Sequence, residues 1–126
     1  MLDIDHFKAV NDRFGHASGD AVLCALVQTC RNVLRPVDVV IRWGGEEFLI
    51  VLPNTGANEA MSTAERVRTT VVAVEVAASE GASIRFTISV GVALPAGEGP
   101  AELLSRSDEA LYSAKAGGRN RVILAL

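Results

Sequence analysis

The residues most able to do chemistry lie in Arg42–Phe48, whose sequence is RWGGEEF. Gly44 and Gly45 precede the adjacent carboxylates Glu46 and Glu47, and apolar runs stand on both sides. This pattern is typical of a β-hairpin with acids at its tip. Glycines there let the backbone approach a ligand, and carboxylates are ligands that hard divalent cations prefer. The segment therefore predicts a metal-dependent nucleotide site.

A second acidic cluster begins the chain, where Asp3 and Asp5 stand two residues apart. An acid at a strand end, opposite acids on a neighbouring hairpin, can hold a divalent cation. Mg²⁺ takes one or two carboxylates with water and phosphate oxygens, and two such ions can orient an in-line displacement at phosphorus. Taken alone, Asp3 better fits an ordinary strand-end acid. Together with Glu46 and Glu47, however, Asp3 fits a metal ligand better than an ordinary strand-end acid.

The composition limits the classes of protein to consider. The 126 residues fit one domain, and 49% of them are hydrophobic, enough to bury a core. A formal net charge of −3 argues against broad binding to nucleic acid polymers or anionic membranes. No apolar run approaches the roughly 18 residues that span a bilayer, and acids rather than a signal peptide follow Met1, so we expect a cytoplasmic domain without a membrane segment. Cys24 and Cys30 are expected to be reduced, buried or half-buried core residues.

Apolar periodicity predicts the elements that must position these acids. Helices are predicted at residues 18–34, 56–78 and from 100 to the Gly-Gly pair at 117–118, and a short helix or turn is predicted at residues 6–14. Strands are predicted at residues 2–5, 38–43, 47–53, 84–92 and 121–126. Strands with helices on one face predict an α/β (α+β) two-layer sandwich. The wholly apolar run Phe48–Leu52 is expected to lie centrally, and Thr55 is expected to be the N-cap of the helix at 56–78.

Several short motifs together resemble a known family. In chain order they are LDIDHFK (Leu2–Lys8), Asn11-Asp12, Gly15-His16, Gly19-Asp20, RWGGEEF (Arg42–Phe48), SVG (Ser89–Gly91), Asp108, Tyr112 and KAGGRN (Lys115–Asn120). On these motifs, residues 1–126 resemble a GGDEF domain of the diguanylate cyclase family, in its GGEEF variant. The resemblance implies a palm-like, nucleotidyl-cyclase-like fold with a ferredoxin-type βαββαβ core.

The resemblance implies that two GTP molecules are condensed into cyclic di-GMP with release of two pyrophosphates. Each domain of a homodimer would present one GTP, whose ribose 3′-hydroxyl attacks the α-phosphorus of the other. Two Mg²⁺ or Mn²⁺ ions per site would be held by Asp3, the Ile4 carbonyl and Glu46, with Glu47 a further metal ligand or a structural acceptor. Glu46 is also the family's proposed proton acceptor, although a metal-bound water is an alternative because metal binding weakens a carboxylate as a base.

The resemblance also assigns groups that hold the substrate. Lys8 would contact phosphate and stabilise the transition state, and Gly44 and Gly45 would lie against the nucleotide. Asn11 and Asp20 would read guanine, since a carboxylate can accept from guanine N1–H and N2–H₂ together. A site built for such hydrogen bonds rejects adenine, which would leave its polar groups unpaired. Apart from the family, Asp20 also fits a carboxylate favoured by the dipole in a helix's first turn.

Two cations near the end of the chain flank a Gly-Gly turn. The resemblance assigns Lys115 and Arg119 to the terminal phosphates of the substrate. The alternative is that both are helix-end cations that complement the helix dipole.

A further motif precedes the hairpin. In the family, an Arg-x-x-Asp pair at the distance of Arg35 and Asp38 forms an inhibitory site for the product. An Arg fork suits phosphate or a guanine edge, and an Asp suits guanine N–H groups. Arg66 would supply a second arm of this site, from the same chain or from a partner chain. Alternatively, Arg35 is a solvated cation at the end of a helix.

The chain departs from the family at its front. Family members usually carry an Asp-x-Leu-Thr segment, an Asn-Arg-Arg segment and an apolar first strand before LDID, so we expect an N-terminally truncated domain with an incomplete first strand. A sensory or receiver domain would lie upstream, and the isolated chain would have weak or no activity. The rival hypotheses are a non-catalytic module that binds GTP or cyclic di-GMP, and a palm-type cyclase for another base.

Overall fold

The computed structural model describes all residues from 1 to 126. Its helices are α1 (Phe7–Phe14), α2 (His16–Val33), α3 (Ala57–Ala73) and α4 (Pro100–Ala116). Its strands are β1 (Leu2–Ile4), β2 (Val39–Arg42), β3 (Glu47–Val51), β4 (Val76–Ala77), β5 (Ser83–Ile84), β6 (Ile88–Val92) and β7 (Arg121–Leu124). One sheet has the order β2-β3-β1-β6-β7 with only β6 and β7 parallel, and β4 pairs with β5 separately. No helix is both long and apolar enough to cross a membrane.

The main core lies between one face of the sheet and the helices α2 and α3. Alternate strand residues such as Leu2, Ile4 and Val90 pack there with Leu26 of α2 and Val71 of α3. Burial of these side chains is the main force that holds the helices on the sheet. The α/β class and the βαββαβ core that the sequence predicted are confirmed.

Helix α4 is added on the opposite face of this two-layer core. Gly91 follows Val90 in β6 and therefore faces the other way. A Cβ at Gly91 would lie 2.2 Å from the Ser107 carbonyl oxygen and 2.3 Å from the Leu111 nitrogen. Only a glycine allows the backbone of α4 to come this close to the strand.

Strand β1 is the middle strand, although it has only three residues. Leu2 lies opposite Phe48 on one side and Val90 on the other, and both backbone groups of Met1 bond to Gly91. Beyond Met1, a groove of about 390 Å³ opens beside β3 and β6. Apolar side chains dominate its lining, among them Leu49, Ile50, Val67, Val92, Leu103 and Leu104.

Two predicted elements differ from the structure: one strand is divided, and one helix is shorter. The predicted strand at 84–92 is two strands, because Ile84 pairs with Val76 in the small sheet whereas Ile88 begins β6. The predicted helix at 56–78 ends at Ala73 for the same reason, since Val76 belongs to β4. Apolar alternation shows which side of a strand is buried and does not show which sheet the strand joins.

Three smaller expectations also differ from the structure. Gly56, rather than Thr55, is the N-cap of α3, because the Thr55 hydroxyl donates to the Pro53 carbonyl at 2.9 Å instead. Cys24 is exposed, since it lies on the side of α2 away from the core, and Cys30 is buried as predicted. The run Phe48–Leu52 lies inside the sheet but next to the edge strand β2.

Candidate active site

The two acidic segments predicted from the sequence meet between β1 and β3. Asp3 lies opposite Glu47 in the strand register, and the Ile4 N–H donates to the Glu46 carbonyl at 3.2 Å. Asp3 is 3% exposed, and Glu46 and Glu47 are half-buried. The pKa of Glu46 is raised, first by burial and then by the charge and hydrogen bond of the Asp3 carboxyl. The site therefore concentrates negative charge between Asp3 and Glu46.

Lys115 of α4 forms an ion pair with one of these acids. The Lys115 ammonium donates to Asp3 Oδ2 at 2.5 Å across 112 residues of sequence. Its side chain is 33% exposed, whereas that of Asp3 is 4% exposed. The ion pair thus joins the last turn of α4 to the middle strand, and it partly compensates the burial of Asp3.

The donor set fits a hard divalent cation. No group of three His, Cys, Asp or Glu side chains is arranged to hold a metal ion. Asp3 and Glu46 offer two neighbouring carboxylates whose repulsion a cation would relieve, as the raised pKa of Glu46 indicates. Mg²⁺ and Mn²⁺ suit such oxygen sites, and Mg²⁺ keeps positions for water and phosphate.

The hairpin tip is braced by an arginine that the sequence reading did not single out. Arg42 donates from Nε to the Gly44 carbonyl at 3.2 Å and from Nη2 to the Gly45 carbonyl at 2.7 Å. The N–H groups of Trp43 and Gly44 both donate to the Glu47 carbonyl. The signal available in the sequence was the position of Arg42, two residues before Gly44. These bonds hold the acids in place before any ligand arrives.

Of the three predicted site residues on helices α1 and α2, Asn11 lies beside Asp20, whereas Lys8 lies apart. A Cβ at Gly19 would lie 1.8 Å from Asn11 Oδ1, so the Asn11 amide packs against the backbone beside Asp20. Asp20 is exposed. Lys8 does not join the acids, because its side chain is 90% exposed and pairs with Asp12 at 3.4 Å.

Asp5 is a buried carboxylate that the sequence analysis left without a role. It accepts hydrogen bonds from Thr87 Oγ1 at 2.7 Å, Ser89 Oγ at 2.6 Å and the Asn120 N–H at 3.0 Å. All three donors lie more than 80 residues away in sequence. Asp5 therefore fastens the acidic strand to β6 and to the turn before β7, which carries the exposed Arg119.

The predicted inhibitory pair forms a closed contact. Arg35 Nη2 donates to Asp38 Oδ1 at 2.8 Å, and the Arg35 N–H donates to Asp38 Oδ2 at 2.8 Å. These bonds hold the pKa of Asp38 below its usual range. Arg35 Nη2 also donates to the Pro53 carbonyl and to Thr55 Oγ1. Arg66 is exposed on α3 and bonds to neither member of the pair.

Sequence comparison finds relatives along nearly the whole chain. A family profile described as diguanylate cyclase, GGDEF domain, matches residues 1–121. Diguanylate cyclase DgcM of Escherichia coli (strain K12) is 48% identical over 126 residues, which are 99% of this chain and 30% of that protein. Response regulator PleD of Caulobacter vibrioides (strain NA1000 / CB15N) is 43% identical over 98% of this chain and 28% of that protein. The chain thus spans less than a third of the length of these relatives.

Solved structures share the fold at moderate sequence identity. The GGDEF domain of DgcB from Caulobacter crescentus, in complex with c-di-GMP, has a TM-score of 0.92 at 37% identity, and the match covers 98% of this chain and 74% of that one. The active GGEEF domain of a diguanylate cyclase from Vibrio cholerae has a TM-score of 0.90 at 38% identity, with 99% and 80% covered.

Proposed function

The chain belongs to the GGDEF domain family of diguanylate cyclases, and on that premise we propose that it is the catalytic domain of a diguanylate cyclase. It condenses two GTP molecules into cyclic di-GMP and releases two pyrophosphates. The observation that carries this proposal is the meeting of Asp3 and Glu46 at an intact GGEEF hairpin. Burial and then the charge of Asp3 raise the pKa of Glu46, and two neighbouring carboxylates suit a cation-dependent reaction at phosphate.

We propose that two Mg²⁺ or Mn²⁺ ions bind per active site, at Asp3, the Ile4 carbonyl and Glu46, with Glu47 as a further ligand or acceptor. When bound, the ions neutralise charge on the phosphates and orient the displacement at phosphorus. Glu46 accepts the proton as the 3′-oxygen bonds to the α-phosphorus and the bond to pyrophosphate breaks. In the free protein, burial and the neighbouring Asp3 carboxyl raise the pKa of Glu46. A water on the ion is the alternative proton acceptor, because metal binding weakens a carboxylate as a base.

Substrate recognition divides between the two sides of the hairpin. Asn11 and Asp20 read the guanine edge, and Gly44 and Gly45 lie against the nucleotide. On the other side, Lys115 and Arg119 bind the terminal phosphates, and Lys115 gives up its contact with Asp3 to do so. Lys8 approaches phosphate from α1, which requires its solvent-exposed side chain to leave Asp12.

Each domain holds one GTP, so catalysis needs a homodimer in which two sites face each other. We propose that Arg35, Asp38 and Arg66 bind the product and inhibit the reaction. A sensory or receiver domain, as in response regulators, would control the pairing of the domains in a full-length protein that works in the cytoplasm.

The proposal is tested by Glu46→Gln in the full-length protein, with GTP and Mg²⁺ supplied and cyclic di-GMP measured by chromatography. We expect turnover to fall by at least about a hundredfold, because general-base catalysis contributes about 10²–10⁴. Glu109→Gln, an exposed residue of α4, is the matched control. Unchanged turnover in Glu46→Gln would refute the role of Glu46.

The same assay separates the rival functions. A non-catalytic module would bind cyclic di-GMP in calorimetry without consuming GTP in the wild type. A cyclase for another base would consume ATP in parallel reactions. Either result would overturn the proposed activity.

A further inference from the structure

Arg68 of α3 reaches the turn that carries Arg119, although the two segments are 52 residues apart. Its Nη1 donates to Asn120 Oδ1 at 2.9 Å. Its Nε and Nη2 donate to Glu65 Oε2 at 2.9 and 2.8 Å. The Arg68 side chain is only 20% exposed, and Glu65, one turn earlier on the same helix, fixes its direction.

Asn120 is held a second time through its backbone. Its N–H donates to Asp5 Oδ2 at 3.0 Å, and Asp5 is 5% exposed. Asn120 is thus bonded both to Asp5, the buried acid that follows β1, and to the guanidinium of Arg68 on α3. The two ties come from different atoms of Asn120, so each can be removed without the other.

The turn needs such ties because its backbone is strained. Gly118, Arg119 and Asn120 have φ angles of 119°, 64° and 45°. Left-handed backbone is unfavourable for a residue that carries a side chain. A strained conformation of this kind persists only where the surroundings determine it. Arg68 and Asp5 are the side chains that bond to Asn120 in this turn.

We propose that Arg68 is a positioning residue that holds the Gly117–Asn120 turn so that Arg119 and Lys115 can bind phosphate together. The inference rests on the proposed function, since the phosphates are those of GTP. Arg68 forms its side-chain hydrogen bonds with Glu65 and Asn120, and none with Asp3, Glu46 or Lys115. Its effect passes through the Asn120 side chain to the backbone that presents Arg119.

Two variants remove this contact in different ways. Arg68→Met deletes the guanidinium and keeps the length of the side chain. Asn120→Gly deletes the acceptor but keeps the N–H that Asp5 binds, and glycine tolerates the positive φ. Asn120→Asp keeps an acceptor and serves as the conservative rescue. Arg85→Met is the matched control, since it breaks an arginine–glutamate pair with Glu75 that has no hydrogen bond to the turn.

The first measurement is amide hydrogen exchange of residues 117–121 in the full-length protein without nucleotide. We expect faster exchange in Arg68→Met and Asn120→Gly, and wild-type exchange in Asn120→Asp and Arg85→Met. This measurement does not depend on GTP, so it tests the role of the Arg68–Asn120 hydrogen bond even if the proposed function is wrong. Unchanged exchange in Arg68→Met would overturn the inference.

The second measurement compares the binding of GTP and GMP by calorimetry with Mg²⁺ present. We expect Arg68→Met and Asn120→Gly to weaken GTP binding about fivefold to tenfold, the equivalent of one ordinary hydrogen bond, and to leave GMP binding within about twofold. The double variant should match the single ones, because both remove one contact. Equal weakening of GTP and GMP would reduce Arg68 to a structural role and overturn the inference. A wild type that binds neither nucleotide would instead refute the proposed function.

Discussion

At the scale of the residue, Asp3 has two opposing neighbours. Glu46 repels its charge, and Lys115 compensates it in a setting where the carboxylate has almost no access to water. An ion pair of this kind adds little net stability, but removal of one partner leaves a buried charge without compensation. Lys115 therefore has a structural role in the free protein besides its proposed role at phosphate.

Lys115→Met should lower the free energy of unfolding by about 1–3 kcal/mol, the cost of an unsatisfied buried acceptor. Lys115→Arg should lower it less, since a cation remains. Mg²⁺ or Mn²⁺ should stabilise Lys115→Met more than the wild type, because the ion replaces the missing charge. Urea unfolding with and without the ion measures both effects. Equal stabilisation of the two proteins would contradict the fit of this site to a cation.

The raised pKa of Glu46 predicts a dependence of stability on pH. An acid whose pKa is higher in the folded state binds more protons there than in the unfolded state. The free energy of unfolding therefore falls as the pH rises from 4.5, the ordinary pKa of a glutamate, through the folded-state pKa of Glu46. Without metal, Glu46→Gln should therefore gain stability relative to the wild type above this range. Below pH 4.5 the difference should shrink. Unfolding curves between pH 4 and 8, with Glu109→Gln as the reference, provide the measurement; a constant difference would contradict the shift.

At the scale of the element, the site depends on the distance between α4 and the sheet. Helix α4 carries Lys115, and Gly91 lets it lie against β6. Gly91→Ala would place a methyl group into the helix backbone, which cannot yield as a flexible side chain can. We expect a loss of about 1–3 kcal/mol or more from overpacking, together with weaker binding of GTP.

Gly99→Ala is the control for this variant, because a Cβ at Gly99 meets nothing within 4 Å. Its effect should stay below about 1 kcal/mol. Thermal unfolding and nucleotide titration of both variants check the expectation. Equal stability of Gly91→Ala and the wild type would show that α4 can move away freely.

Local patterns predicted most of the elements and the meeting of the two acidic segments. The stripe of α2 and the glycine-rich hairpin are both visible in short windows of sequence. The contacts of Asp5 and Arg68 are not, because they join residues 52 to 115 positions apart. A single sequence gives the types of such residues and carries no signal of their pairing.

At the scale of the whole molecule, the middle strand has support along only part of its length. The apolar groove beside Met1 leaves β3 and β6 without a strand between them there. We expect the purified 126-residue chain to show weak or no turnover of GTP, because Asp3 stands on this strand. A coupled pyrophosphate assay measures it, and an apolar dye that fluoresces on binding reports the open groove. A robust rate would contradict this expectation.

If Arg35 and Asp38 bind the product as proposed, their closed contact with each other would compete with that binding. Asp38 is satisfied by Arg35, and Arg35 Nη2 is shared among Asp38, Pro53 and Thr55. A dinucleotide that uses these groups must first open the contact, and its apparent affinity falls by the fraction of molecules that are closed. The strength of the Arg35–Asp38 ion pair would thus set the product concentration at which synthesis stops. A substitution at Thr55, which accepts from Arg35, would therefore change that concentration without changing the groups that contact the product.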